Sequence, residues 1–242
     1  MVMYGVGVKM IKEFAEFEHA SLAYYSMPAS TSARAEQGRR NIHRNRNNRL
    51  RSNNRLIVKE LKKANHVVDA GCGGNHFKQI KPNIFAFDII DYGNQDCVCS
   101  IMDAPIKELS KDVVLSLGVL HECPDNYHMP NIQKMLSWLK KDGKLIMRCK
   151  SKPSTNKHPD IQNRKQQVVN FAKYFDQGLW PKVRIEKFTK DLNLELEWIV
   201  DNIQTRKQKW KHADFKPPGV DLIQDGDEIV FEGYVWCWRK YV

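Results

Sequence analysis

The sequence predicts an α/β fold: a seven-stranded, mostly parallel sheet flanked by helices, closed by an antiparallel C-terminal strand pair and preceded by a helical, basic N-terminal extension. Three observations carry this. Short apolar runs bounded by Gly, Asp and Lys alternate with connectors from Asn65 onward, the pattern of a parallel sheet. Two long alternating runs separated by a turn-rich stretch close the chain. The segment just before Asn65, residues 34–63, is strongly cationic instead.

The elements follow in order. Residues 11–25 place Ile11, Phe14, Ala15, Phe17, Leu22, Tyr24 and Tyr25 at partly helical spacing and stop at Ser26-Met27-Pro28. Ala29 to Gly38 is small and polar, a linker or loop. From Arg39 to Lys63 neither Gly nor Pro occurs, and Leu50, Ile57 and Leu61 form a thin apolar seam, which predicts a helix. Strands are expected at His66–Ala70, Ile84–Asp88, Cys97–Ser100, Val113–Leu117 and Lys144–Cys149. The connectors between the first three are too short for full helices. A helix over Met129–Lys140 should stop at Lys141-Asp142-Gly143, and another is expected over Asn163–Phe175. Leu194–Ile203 and Glu228–Arg239 make the antiparallel pair. The domains divide as 1–63, lid and basic extension, and 64–242, the α/β domain.

Charge is concentrated rather than spread. The net charge is +11 over 242 residues. Residues 34–63 hold 11 Lys/Arg against Glu36 and Glu60, or +9, leaving +2 for all the rest. Such a segment points to a local anionic partner. Its arginines, among them Arg39, Arg40, Arg44, Arg46, Arg49 and Arg51, alternate with Asn, residue types that bind phosphates and base edges. RNA is expected ahead of DNA, through residues 34–63, with another polyanion or a protein partner as the alternative. No apolar run approaches the ~20 residues of a membrane span, and Met1 to Met10 lacks a cleavage-site pattern. The 6 cysteines show no Cys-x-x-Cys and no zinc spacing, so reduced core thiols in a cytoplasmic protein are expected, with no metal.

The most specific stretch is His66-Val67-Val68-Asp69-Ala70-Gly71-Cys72-Gly73-Gly74-Asn75, followed by Phe85-Ala86-Phe87-Asp88. A buried strand runs into a glycine turn where a ligand can approach the backbone. The next strand ends in a carboxylate able to take two ribose hydroxyls. A dinucleotide fingerprint would need a third glycine where His76 stands. The order Asp-x-Gly-x-Gly resembles motif I of class I, Rossmann-like, S-adenosylmethionine-dependent methyltransferases. The likeness covers about Asn65 to Cys149, and Leu194 to Tyr241 in pattern only. It implies that Asp69 orders the turn and the methionine end of S-adenosylmethionine. Gly71 and Gly73 would admit the cofactor, and Asp88 would hold the ribose. Ser100 and Ile101 fall where the family contacts adenine, with Asp103 as the substitute, and Asn75 stands for the usual third glycine, an exchange a left-handed conformation tolerates. Lys111 to His121 resembles the fourth strand and its exit, so Leu117 would line the methyl-transfer site.

Methyl transfer from a sulfonium needs alignment and exclusion of water, with proton removal optional. The exit Leu117-Gly118-Val119-Leu120 lacks the Asx-Pro-Pro-aromatic signature of exocyclic-amine enzymes. A ribose 2′-hydroxyl enzyme would need an aspartate at Leu117. For cytosine C5 chemistry, Cys123 precedes Pro124 in the wrong order, and Cys149 stands without its companion. What remains is His121-Glu122, a candidate proton acceptor or a loop holder. The expected function is methyl transfer to a nucleic acid. The alternatives are a small-molecule or protein methyltransferase, and a non-catalytic binding protein with the same fold, which Asn75 and Ser100 keep open.

Overall fold

The computed structural model describes residues 52–73, 75–91, 93–152, 178–206 and 228–241. The predicted helices at 11–25 and Asn163–Phe175, the N-terminal part of the basic helix and the turn-rich 216–227 stretch lie outside them.

Helix α1, Ser52–Lys63, leads into β1, Val67–Ala70. Then come β2 (Phe85–Asp88), β3 (Cys97–Val98), β4 (Lys111–Leu117), helix α2 (Asp125–Trp138), β5 (Leu139–Lys150), helix α3 (Lys182–Asp191), β6 (Leu194–Arg206) and β7 (Glu228–Lys240). They form one seven-stranded sheet in the order β3-β2-β1-β4-β5-β7-β6. The pairs from β3 to β5 are parallel, and β7 is antiparallel to both β5 and β6. Chain direction across the sheet reverses between β1 and β4, and open α/β sheets take ligands beyond the strand ends at such a switch point.

Alternation along the strands builds a core on each face. Ile57 and Leu61 of α1 pack with Val67, Val113, Leu115, Ile146, Val235 and Cys237. The next residues in each strand, Val68, Val114, Leu145, Met147, Trp236 and Trp238, pack with Ile132, Met135 and Trp138 of α2 and Ile185 of α3. Asp69, Leu117 and Arg148 share the parity of the α1 side, at the C-terminal ends of their strands. The α1 face is locked by Lys144, whose ammonium meets Glu60 at 3.0 Å and Glu197 at 2.6 Å.

Several boundaries differ from expectation for local reasons. Helix α2 starts four residues earlier, at Asp125, directly after the non-helical Pro124, and it accommodates Pro130 within its span. It ends at Trp138, and the chain is already paired with β4 at Leu139, so Lys141-Asp142-Gly143 is a kink within β5, with Asp142 at φ 60°. Strand β3 is two residues long, shorter than expected. Between β1 and β2 there is only a 3-10 turn, His76–Gln79, as the short connector requires. Helix α3 was not foreseen: Pro181 caps it, and Ile185, Phe188 and Leu192 face the core. Among the described residues no helix is long and apolar enough to cross a membrane.

Candidate active site

The glycine turn is tied to the end of β2 by its own backbone. The N–H groups of Gly71 and Cys72 both donate to Phe87 O, at 2.9 and 3.0 Å. Gly73 N–H donates to Asp88 Oδ2 at 2.9 Å, and Ile90 N–H donates to Asp88 Oδ1 at 3.1 Å. The Asp88 carboxylate is therefore fixed in orientation beside the turn. Gly71 and Gly73 have φ of 76° and 50°, and Asn75 follows at 48°, the left-handed state expected of it. Nothing lies within 4 Å of where a Cβ on Gly73 would stand, so the backbone there is open to a ligand, whereas a Cβ on Gly71 would fall onto Val119 Cγ2.

Asp69 lies beneath this turn, 3% exposed. Burial, with the neighbouring Asp88 charge adding, pushes its carboxyl up to about 7, against the opposing influence of Arg148. An acid poised this way is stabilised in its charged form by any cationic group arriving nearby. On the far side, Cys99 N–H donates to Asp88 O at 3.0 Å, which brings Ser100 and Ile101 alongside Asp88. Ile101 is buried. The Ser100 hydroxyl donates to Asp103 Oδ2 at 2.6 Å and accepts from Asp103 N–H at 3.2 Å, so serine and aspartate form one local unit there.

The exit of β4 completes the constellation. Leu117 is half-buried, Gly118 turns at φ 94°, and a 3-10 turn, Leu120–Glu122, carries His121 and Glu122. His121 is 4% exposed. This turn is held from behind by His128 of α2, which is fully buried. His128 Nε2 reaches Leu120 O at 2.8 Å and Cys123 O at 3.2 Å, so it is the protonated nitrogen, and Nδ1 accepts from Arg184 Nη2 at 2.7 Å. Burial, with the Arg184 charge adding, lowers His128 to about 4, so it is neutral at physiological pH. Neither His128 nor Arg184 stood out in the sequence; the i, i+4 relation of His128 to Pro124 carries no functional signal by itself.

Burial works against a thiolate at Cys72, Cys99, Cys149 and Cys237. Cys149 is fully buried, and burial pushes its thiol up to about 12. All six are free thiols. Arg39, Arg40, Arg44, Arg46, Arg49 and Arg51 lie outside the described residues. The last turns of the basic segment are visible in α1, where Arg55, Lys59, Lys62 and Lys63 are exposed.

The glycine turn, Asp88 and buried Asp69 together fit an adenosine-bearing cofactor: an open backbone cradle, an oriented carboxylate for a diol, and a buried acid for a cation. No protein-family profile and no curated protein sequence matches the chain. Solved structures do. One is a complex of the Haloferax volcanii Trm112 methyltransferase activator with a methyltransferase, at 14% identity and TM-score 0.54, covering 88% of this chain and 97% of that one. Another is a SAM-dependent methyltransferase of Leishmania major, at 9% identity and TM-score 0.53, covering 92% of this chain and 82% of that one. A third is the N-methyltransferase NodS of Bradyrhizobium japonicum in complex with S-adenosylhomocysteine, at 11% identity and TM-score 0.48, covering 85% and 97%. The first two establish that this chain has the Rossmann-like fold of the S-adenosylmethionine-dependent methyltransferases.

Proposed function

We propose that this chain is a methyltransferase that uses S-adenosylmethionine and acts on a nucleic acid, RNA in preference to DNA. The observation that carries the first half is the union of Gly71, Gly73, Asp88 and Asp69 at the switch point between β1 and β4. In this reading Asp88 holds the ribose, Ile101 and the Ser100–Asp103 unit border the adenine, and Asp69 faces the cationic methionine end. The bound cofactor supplies a methyl group on a sulfonium, a good leaving group. The chain's own part is to align the acceptor at Leu117-Gly118, exclude water, and offer His121, with Glu122 beside it in the turn, as a proton acceptor.

The second half rests on charge. The +9 of residues 34–63 includes the exposed cations of α1, a helix packed directly on the sheet that carries the site. A small-molecule acceptor is the second reading, favoured by the burial of His121, which suits a compact acceptor or an extruded nucleotide better than an intact duplex. Transfer of labelled methyl from S-adenosylmethionine onto fractionated RNA, DNA, protein and metabolites separates these. The proposal expects label in RNA, with binding that weakens steeply as salt rises. Label confined to metabolites, or RNA binding indifferent to salt, would reject the nucleic-acid acceptor.

A further inference from the structure

Segments distant in sequence meet at the turn Leu120–Cys123, where the chain leaves β4. The carbonyls of Leu120 and Cys123 share the Nε2–H of buried His128, at 2.8 and 3.2 Å. On its amide side, the N–H groups of Leu120 and His121 meet the buried thiol of Cys149, near the end of β5. Gly178, just before α3, closes the grip. A Cβ there would stand 2.6 Å from both carbonyl oxygens and 2.7 Å from His128 Nε2, so the chain crosses the turn with no room for a methyl group. Its course is set two residues on, where Trp180 N–H donates to Lys150 O at 2.7 Å.

The imidazole is itself held. Arg184 Nη2 donates to Nδ1 at 2.7 Å, while Nη1 donates to Leu179 O at 3.0 Å and to Asp125 Oδ1 at 3.1 Å. The guanidinium lies over Trp180, 4.9 Å from the ring centroid, and that ring lies 5.1 Å from His128. Arginine carries only N–H donors, so this contact makes Nδ1 an acceptor and keeps the proton on Nε2, the nitrogen that faces the turn. Filling the space behind a turn needs none of this, since a leucine of similar volume would do. A donor locked in one tautomer, with a glycine pressed over it, fixes where the turn's backbone lies. That place matters because the turn joins the two halves of the site. Val119, at its start, occupies the point where a Cβ of Gly71 would fall, and His121 lies within it.

We propose that His128, locked by Arg184 and covered by Gly178, is a positioning residue for methyl transfer, setting the exit turn and His121 against the cofactor cradle. This rests on the methyltransferase reading and extends its machinery to α2 and α3. The clasp acts through the turn's backbone. The cradle has its own ties, through Gly73 to Asp88 and through Gly71 and Cys72 to Phe87, and the clasp takes no part in them. Misplacing a reacting group by about an ångström is enough to cost about a hundredfold in rate. Loss of the clasp therefore falls on transfer and spares cofactor affinity.

The test compares His128→Leu, His128→Gln and Arg184→Met with wild type, all as the full chain. Calorimetry gives S-adenosylhomocysteine affinity, and labelled methyl from saturating S-adenosylmethionine gives the transfer rate onto whichever RNA, DNA, protein or metabolite fraction wild type labels. His128→Leu and Arg184→Met should bind S-adenosylhomocysteine within about threefold of wild type and transfer methyl about ten- to a hundredfold more slowly. His128→Gln, whose amide can donate to the two carbonyls and accept from Arg184, should recover most of the rate. A histidine that only supports the fold gives a different result: rate and cofactor affinity fall together, or glutamine fails to restore the rate. Either outcome overturns the proposal, as does wild-type transfer by His128→Leu. If His128→Leu fails to fold, Arg184→Met is read by the same two measurements, and an unchanged rate there overturns it. The His121 Cε1–H resonance of the S-adenosylhomocysteine complex needs no acceptor. It should move in His128→Leu and Arg184→Met and return in His128→Gln, and a resonance that stays in place overturns the clasp. Wild type that binds no S-adenosylhomocysteine and labels no fraction rejects the methyltransferase reading instead.

Discussion

Replacing Asp69 by Asn should stabilise the protein at alkaline pH and leave it almost unaffected by that route in acid. The Asp69 carboxyl is buried and its value rises from 3.8 to about 7 in the folded chain, chiefly through burial, with Asp88 adding. The folded state therefore binds more protons than the unfolded state between these values, and wild-type stability falls as pH climbs through that window. With about 1.4 kcal/mol per pH unit, the ionisation penalty is under about 1 kcal/mol at pH 4, about 2 at pH 5 and about 4 at pH 8. Asparagine does not titrate. Other effects, such as changed hydrogen bonding, are constant across this range, and the attraction of the ionised carboxylate to Arg148 is already contained in the shifted value. The informative quantity is thus the change with pH: the stability difference between Asp69→Asn and wild type should grow by about 2 to 3 kcal/mol in favour of the variant from pH 5 to pH 8. Urea denaturation of both proteins without cofactor at the two pH values measures it. A difference that is flat with pH, or that moves toward wild type, would refute the claim that a strained acid lies under the glycine turn.

Two other substitutions address the site's architecture. Gly71→Ala places a Cβ onto Val119 Cγ2 at a residue with φ 76°. The left-handed conformation alone costs about 1–2 kcal/mol, so a lowered melting temperature and weakened S-adenosylhomocysteine binding are expected, whereas Gly73→Ala, with open space around it, should melt closer to wild type. His128→Leu removes the donor to Leu120 O and Cys123 O and the acceptor for Arg184. Leaving such buried groups unmatched costs about 1–3 kcal/mol, and denaturation should show this together with faster hydrogen exchange in the 120–123 turn.

What was legible in the sequence is what local pattern encodes. The glycine turn, Asp88 and the strand pair announce themselves because glycine spacing and period-two alternation are properties of adjacent residues. Strand ends, by contrast, depend on neighbours: β5 begins at Leu139 because Lys111 of β4 pairs with it there, and Asp142-Gly143 reads as a helix stop until that pairing is known. Helix α3 hides behind its cations, with only Ile185, Phe188 and Leu192 to mark its inner face. Arg148 is the instructive omission. A lone arginine in an otherwise buried strand was a visible signal, but its neighbours required the register that sets it against Leu117 and the fold that brings its charge to Asp69. The His128–Arg184 support was invisible for the same reason: the two residues are 56 positions apart.

Calorimetric titration of the full chain with S-adenosylhomocysteine, wild type against Asp88→Ala, asks whether the glycine turn and Asp88 hold the cofactor. Asp88 orients the glycine turn through Gly73 and is the carboxylate proposed to hold the ribose. The account predicts one-site binding by wild type and a loss of about a hundredfold in the variant, equivalent to about 2.8 kcal/mol. Absence of binding by wild type, or equal affinity in the two proteins, would contradict it.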